Sequence, residues 1–232
     1  MQGGVCPLFL AMTAEEIQDI SPLPSKFAWL GCHFSTATAQ LSGLPSALPV
    51  GCGLILDDRT PIPDTVSAQI WEEFRRLAPA FLLLDFQRPP TAASQKLASA
   101  MDALPFPTPM PPTYARELDC PVFLPPVPAH VPIADYIKPW SHREVWLELA
   151  LDGVQISITP QGGKIAPITH AKPAEKSHTD SMLHCHYSIT PGADSLEFYC
   201  YRTREDITNQ LNAPLPPNIT HTIGLYQELA WP

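Results

Sequence analysis

The chain has 232 residues, of which 45% are hydrophobic and 16% are charged, and its formal net charge is −9 with a pI near 5.2. Such an acidic chain lacks the large basic surface that nucleic acid or anionic lipid requires, so neither is expected as a partner. The length suits one large core, since single-domain α/β barrels commonly run to roughly 200–250 residues.

The N-terminus and the cysteines indicate a reduced, cytoplasmic protein. No basic segment opens the chain, and the apolar stretch at residues 7–12 is shorter than the core of a secretion signal and much shorter than a membrane span. The six cysteines are scattered through apolar segments without a Cys-x-x-Cys pair, which favours reduced thiols in or near the core.

The 29 prolines concentrate near residues 104–112, 121–132 and 214–217. These clusters flank apolar runs, which favours kinked loops and strand ends within one domain over linkers between domains.

Apolar runs alternate with helical patterns along most of the chain, which is typical of parallel strands joined by crossover helices. The predicted barrel strands are residues 27–35, 50–58, 81–89, 106–110, 120–125 and 145–152, then one member of the pair 182–189 and 196–201, and last 222–229. Residues 154–168 predict an antiparallel excursion after the sixth strand.

Eight such strands predict an α/β fold of the (β/α)8 TIM-barrel type, with a doubly wound open sheet as the alternative. We expect a single domain over residues 1–232, with the barrel core at 26–232 and an N-terminal segment at 1–25.

Polar side chains stand at the ends of several predicted strands. The carboxyl ends of barrel strands are where side chains leave the core, so these residues are expected to converge on one mouth. The catalytic candidates are Asp85, Glu148 and Glu228. The candidates for ligand binding are Asp57, Asp58, Arg59, Gln87, Arg88, Tyr114, His184, His186, Tyr226 and Gln227. For any one of them, the alternative is a structural ion pair with a neighbouring arginine.

These residue types allow two kinds of chemistry. A pair of carboxyl groups, such as Asp85 with Glu148 or Glu228, can hydrolyse a glycosidic or ester bond when one is protonated and the other charged. His184 and His186, with Asp57 or Asp58, could instead hold a divalent metal, although a hydrogen-bonded pair of histidines is favoured. No dinucleotide fingerprint, phosphate loop or serine-hydrolase elbow is present, so no cofactor is predicted.

The stretch Leu83-Leu84-Asp85-Phe86-Gln87-Arg88-Pro89 resembles the end of the fourth strand in the chitinase-like glycoside hydrolases of family 18. That resemblance implies a (β/α)8 barrel, a catalytic acid at the last motif position, and a sugar acetamido group acting as internal nucleophile. Asp85, Phe86 and Pro89 match the motif. Leu83 replaces an acid, and Gln87 replaces the proton donor, so the family's mechanism should fail here because an amide cannot deliver a proton.

The whole chain also resembles a group of small barrel proteins from Gram-positive bacteria, through the segments LDDRTP, LLDFQRP, CPVFLPP, LHCHY and GLYQEL. This second likeness implies a bacterial barrel and no particular activity.

Three functions follow as hypotheses. The first is a barrel of glycoside-hydrolase descent that binds a carbohydrate or other polyhydroxylated ligand without the family's catalysis. The second is a working hydrolase whose acid has moved to Glu148 or Glu228. The third is a scaffold whose proline-rich loops bind a protein partner.

Overall fold

The computed structural model describes residues 6–168 and 172–230. Its strands, numbered in chain order, are β1 (Leu8–Met12), β2 (Phe27–Phe34), β3 (Leu41–Ser42), β4 (Gly53–Asp57), β5 (Leu82–Asp85), β6 (Val122–Leu124), β7 (Val145–Leu149), β8 (Gly153–Thr159), β9 (Gly162–Ile168), β10 (His178–Asp180), β11 (Cys185–Pro191), β12 (Leu196–Tyr201) and β13 (Ile219–Leu225). Its helices are α1 (Ala14–Asp19), α2 (Ala68–Leu77), α3 (Ala92–Met101), α4 (Pro112–Ala115), α5 (Ile133–Ile137), α6 (Arg204–Asn212) and α7 (Tyr226–Leu229), with a 3-10 turn at Lys138–Trp140.

Across these described ranges, seven parallel strands form one sheet in the order β5-β4-β2-β1-β13-β7-β6. Residues 107–110 bridge its two edges. On the β5 side, the N–H of Leu84 donates to the carbonyl of Pro109 at 3.0 Å. On the β6 side, the N–H of Phe123 donates to the carbonyl of Met110 at 2.7 Å. A proline-broken segment thus holds the eighth strand position of a (β/α)8 barrel, which confirms the predicted fold class.

The membership of the barrel differs from the prediction at three places. β1 pairs in parallel with both β13 and β2, although the sequence analysis starts the barrel core at residue 26. Strands β11 and β12, one of which is predicted as a barrel strand, belong instead to an antiparallel sheet. Residues 226–229, predicted as the end of the last strand, form α7 because the extended backbone stops at Leu225.

Side chains alternate between two cores along each barrel strand, as strand geometry requires. On β5, Leu82 and Leu84 belong to the core shared with the surrounding helices, and Leu83 belongs to a second core inside the barrel. That interior core contains Phe9, Ala11, Ala28, Ile55, Phe81, Leu83, Phe123, Trp146 and Ile223. The barrel is therefore filled with side chains up to the level of the strand ends.

The second sheet enters between β7 and α6, in the order β10-β11-β12-β8-β9. Register partners across it place Ile189, Phe198, Ile156 and Ile165 in one row, so one face of the sheet is apolar. The barrel end of this face packs with Ala129 in a small core of its own.

All six cysteines fall within the described ranges; five are buried, Cys6 is partly buried, and none is in a disulfide there. Burial raises the pKa of Cys52 and of Cys120 to about 11, so both remain protonated, unreactive core groups. None of the described helices has the length and apolar character needed to span a bilayer.

Candidate functional site

Two carboxyl groups reach the mouth of the barrel from β5 and β7. Asp85 lies two residues after Leu83, and Glu148 lies two residues after Trp146. Both preceding residues belong to the interior core. Because side chains two apart along a strand point the same way, both carboxyl groups project inward at the carboxyl end of the barrel. Two of the three predicted catalytic candidates therefore lie together.

Asp85 and Glu148 line a cleft of about 790 Å³, within the usual range for small-molecule sites. Its other polar lining residues are Gln87, Arg88, Thr113 and Asp152. Phe86, Phe123 and prolines from three loops form the rest of the wall. The result is an apolar trough with a few convergent polar groups, which is what a binding site for a small organic ligand requires.

A smaller recess of about 40 Å³ opens inward from this cleft and shares Asp85, Phe123 and Glu148 with it. Within the described chain, every other residue of its lining is apolar or glycine. Gly224 is required there, because a Cβ atom at this position would stand 2.7 Å from the carbonyl oxygen of Leu149. The two carboxyl groups are thus the polar end of an otherwise apolar pocket.

Glu148 is held as a neutral acid. Its partial burial, followed by the negative charges of Asp85, Asp152 and Glu228, raises its pKa from 4.5 to about 8. At neutral pH the group therefore keeps its proton and can both donate and accept a hydrogen bond. A carboxyl group perturbed in this way inside a cleft is a candidate for acid or base chemistry.

Asp85 faces two opposing influences. Burial raises its pKa, and the charges of Asp57 and Asp58 act in the same direction. The Nε2 group of Gln87 donates a hydrogen bond to Asp85 Oδ1 at 3.2 Å, which lowers that pKa by stabilising the charged form. Gln87 is exposed to the cleft and therefore both supports Asp85 and presents an amide to a ligand.

Asp57 and Asp58 hold the loops of the mouth. Asp57 forms a two-pronged ion pair with Arg59, with Nε and Nη2 at 2.8 and 2.6 Å. The buried carboxylate of Asp58 accepts the backbone N–H groups of Gln87 and Arg88 at 2.9 and 2.8 Å. Arg88 in turn donates to the carbonyl of Arg59 at 2.7 Å. These contacts fix the loop that carries Gln87 and Arg88 to the cleft.

Glu228 also lies near the mouth, although it stands on α7 rather than on a strand. Its Oε2 atom accepts the N–H of Leu151 at 3.0 Å, and its charge contributes to the raised pKa of Glu148. The third catalytic candidate therefore acts on the second one through charge.

Gln87 and Arg88 line the cleft, and the other eight ligand-binding candidates lie outside its described lining. Three of these eight are Tyr114, Tyr226 and Gln227. Tyr114 is buried, and its hydroxyl donates to Ser94 Oγ at 3.0 Å. Tyr226 packs on the small core around Met12, and Gln227 is exposed on α7. Strand and helix ends bring these residues to the correct side of the fold, but their side chains turn into neighbouring packing or into solvent.

The two histidines belong to the antiparallel sheet and the turn before it, whereas Asp57 and Asp58 stand at the barrel mouth. His186 Nδ1 lies 2.8 Å from Asp206 Oδ2, so it is paired within its own part of the fold. His184 has a positive φ of 46°, as expected for a turn residue. Among residues 6–168 and 172–230, no three His, Cys, Asp or Glu side chains are grouped to hold a metal ion.

Several cleft residues were not among the sequence candidates: Asp152, Phe123 and the prolines. The prolines did leave a signal, since Pro-Pro pairs at 89–90, 111–112 and 125–126 each follow closely on a successive strand position of the barrel. Proline has no N–H and a fixed φ, so such a pair makes a rigid apolar rim.

Counted along the barrel, β1, β2 and β4 precede β5. The LLLDFQRP segment therefore ends the fourth barrel strand, and its predicted position as the third strand is wrong. The fourth strand is the one to which the resemblance to family 18 refers.

No protein-family model and no curated protein sequence matches this chain. Among solved structures, the spore cortex-lytic enzyme SleL of Bacillus cereus aligns with a TM-score of 0.53 and 8% identity, over 98% of this chain and 71% of that one. SleL of Bacillus megaterium aligns with a TM-score of 0.50 and 10% identity, over 94% and 70% of the two chains. The chain shares their barrel fold. At such low identity the likeness shows the fold alone.

Proposed function

We propose that the mouth of the barrel binds a carbohydrate or another polyhydroxylated ligand. The observation that carries this proposal is the convergence of Asp85, Gln87 and Glu148 on one cleft at the carboxyl ends of the barrel strands. Together these groups offer both donors and acceptors, which is the pairing that sugar hydroxyls need. Phe123 and the proline rim supply apolar surface for the faces of the sugar rings.

Two further observations support a glycan as the ligand. The motif that resembles family 18 ends the fourth barrel strand and retains Asp85 and Phe86 while carrying Gln87 in place of the proton donor. The two SleL proteins that share the fold are spore cortex-lytic enzymes. A binder in which glutamine replaces the proton donor of the family 18 motif agrees with both observations.

Thermal unfolding against a panel of soluble oligosaccharides tests the proposal. A ligand at about 100 times its Kd stabilises the folded state by about 2.7 kcal/mol, which for a chain of this length raises Tm by about 5–10 °C. Arg88→Ala should reduce the shift, because Arg88 lines the cleft. Glu72→Gln is the matched control, since Glu72 pairs with Arg75 on the exposed face of α2. The absence of a shift with every glycan would contradict binding and favour the protein scaffold.

Hydrolysis is the second candidate, and the proton on Glu148 favours it. A neutral carboxylic acid near an ionised one is the arrangement used for glycosidic cleavage. In this version Glu148 protonates the leaving oxygen, and Asp85 acts as base or nucleophile. The donor has then moved from the fourth barrel strand to β7.

Turnover of chromogenic glycosides separates the two candidates. If the protein is a hydrolase, Glu148→Gln abolishes turnover while glycan binding persists, since glutamine retains the shape of the side chain but has no proton to deliver. Glu228→Gln should reduce the rate by changing the charge near Glu148. If the wild type shows no turnover, or if the variants keep the wild-type rate, the hypothesis that the catalytic acid has moved to Glu148 is refuted.

A further inference from the structure

The inner recess has the size and chemistry of a site for one small polar group. Its volume of about 40 Å³ is close to the roughly 30 Å³ that one water molecule occupies in the liquid. An ammonium group is of similar size. Among the described residues, Asp85 and Glu148 supply the only polar side chains of its lining.

The charges that raise the pKa of Glu148 are all negative, although Arg88 lines the outer cleft. Asp85 approaches from β5, Asp152 follows β7 and Glu228 stands on α7, and each disfavours ionisation of Glu148. Tyr136 of α5 stays neutral, because burial and the charge of Glu148 raise its pKa to about 12. Among the described residues, Arg59 lowers the pKa of Asp85, whereas the charges that set the pKa of Glu148 are negative. A positive charge beside Glu148 would therefore favour its ionised form.

We propose that the ligand of this cleft carries a protonated amine, as a de-N-acetylated amino sugar does, and that its ammonium group occupies the recess between Asp85 and Glu148. This inference rests on the proposed binding function. A neutral hydroxyl can fill the same volume, but it leaves Glu148 protonated and gains only neutral hydrogen bonds from it. Charge-assisted hydrogen bonds are about twice as strong.

This binding mode determines how many protons are released when the ligand binds. When the ammonium group enters, Glu148 releases its proton to solvent and its carboxylate accepts hydrogen bonds from the ammonium, whose own N–H bonds remain intact. Below about pH 8, Glu148 of the unliganded protein is protonated. Binding of an amine in this range therefore releases about one proton per protein molecule. Binding of an N-acetylated or other neutral sugar through the same site releases none.

The experiment uses two probes of equal length, a glucosamine oligomer and its fully N-acetylated counterpart. Titration calorimetry at about pH 6, where Glu148 with its pKa of about 8 holds its proton, is run in two buffers of different ionisation enthalpy. We expect the amine oligomer to bind about tenfold or more tightly than its N-acetylated counterpart, with about one proton released. In Glu148→Gln the proton release should vanish and the preference should shrink, whereas Glu72→Gln should retain both.

Each other outcome overturns a different claim. Equal affinity for the two oligomers without proton release would refute the ammonium site and leave glycan binding intact. Binding of neither oligomer, together with silence of the wider glycan panel, would refute the binding function itself. The wild-type buffer comparison needs no variant, so the result does not depend on how well Glu148→Gln folds.

Discussion

Replacing Glu148 by glutamine is expected to stabilise the protein at neutral pH. Glu148 ionises with a pKa of about 8 in the folded protein and about 4.5 in an unfolded chain. Between these values the folded state holds a proton that the unfolded state has released. The unfolded state thus binds fewer protons, so the free energy of unfolding falls as the pH rises through this window.

The magnitude follows from the size of the shift. Each pH unit corresponds to about 1.4 kcal/mol, so by about pH 7 the wild type has lost about 3 kcal/mol relative to pH 4.5 through this one group. Glutamine is neutral at every pH and nearly isosteric, so Glu148→Gln escapes the loss. For a chain of this length the gain near pH 7 amounts to roughly 6–12 °C in Tm.

Urea unfolding of both proteins at about pH 4.5, 7 and 9 is the assay. The stability difference should be small at the lowest pH, grow towards pH 8 and level off above it, because both states are then ionised at this position. Glu72→Gln, on exposed α2, should show no such dependence. A difference between wild type and Glu148→Gln that stays constant with pH would refute the account of Glu148 as a neutral acid in the folded state.

Three other substitutions probe the mouth and its surroundings. Gln87→Glu places an acid in the motif beside Asp85, and we expect trace turnover of chromogenic glycosides. An inactive variant would contradict the idea that the rest of the catalytic pocket is intact. Asp58→Ala leaves two backbone N–H groups of the following loop without their acceptor, so urea unfolding should show a loss of about 3 kcal/mol and glycan affinity should fall; an unchanged midpoint would show that the loop is held elsewhere. His186→Gln breaks the contact with Asp206, so we expect a lower Tm with unchanged glycan affinity. A weaker glycan affinity would instead show that the antiparallel sheet contributes to the binding site.

The positions of Asp85 and Glu148 could be predicted because they depend on strand periodicity alone. An acid two positions after a core residue of a strand points to the same side as that residue, without knowledge of the neighbours. The side chain of Tyr114 could not be placed in this way. Its direction depends on Ser94, which lies 20 residues earlier and is brought beside it only by the packing of α3 and α4.

The prediction counts β11 or β12 as a barrel strand and leaves out β1. The sequence does contain a signal that bears on this choice. Barrel strands are buried on both faces and form continuous apolar runs, as in Leu82–Leu84 and Leu8–Met12. Strands of the second sheet alternate instead, as in Val154-Gln155-Ile156-Ser157-Ile158, because one face stays polar. This difference separates β1 and β5 from β8, whereas β13 carries Thr220, His221 and Thr222 and still belongs to the barrel. The row of register partners across the second sheet, in contrast, depends on turns and pairing that no single segment encodes.

The amide at position 87 suits the electrostatics of this mouth better than an acid would. An ionised glutamate there would add a further negative charge beside Asp85, whose pKa is already raised by burial and by Asp57 and Asp58. Gln87 instead donates to Asp85 and stabilises its charge, while burial and the same charge keep the proton on Glu148. Gln87 thus favours the charged form of Asp85, while burial and neighbouring negative charges favour the neutral form of Glu148. The proposed choice between binding and catalysis therefore depends on Glu148 of β7, because it holds a proton that an amide at position 87 cannot supply.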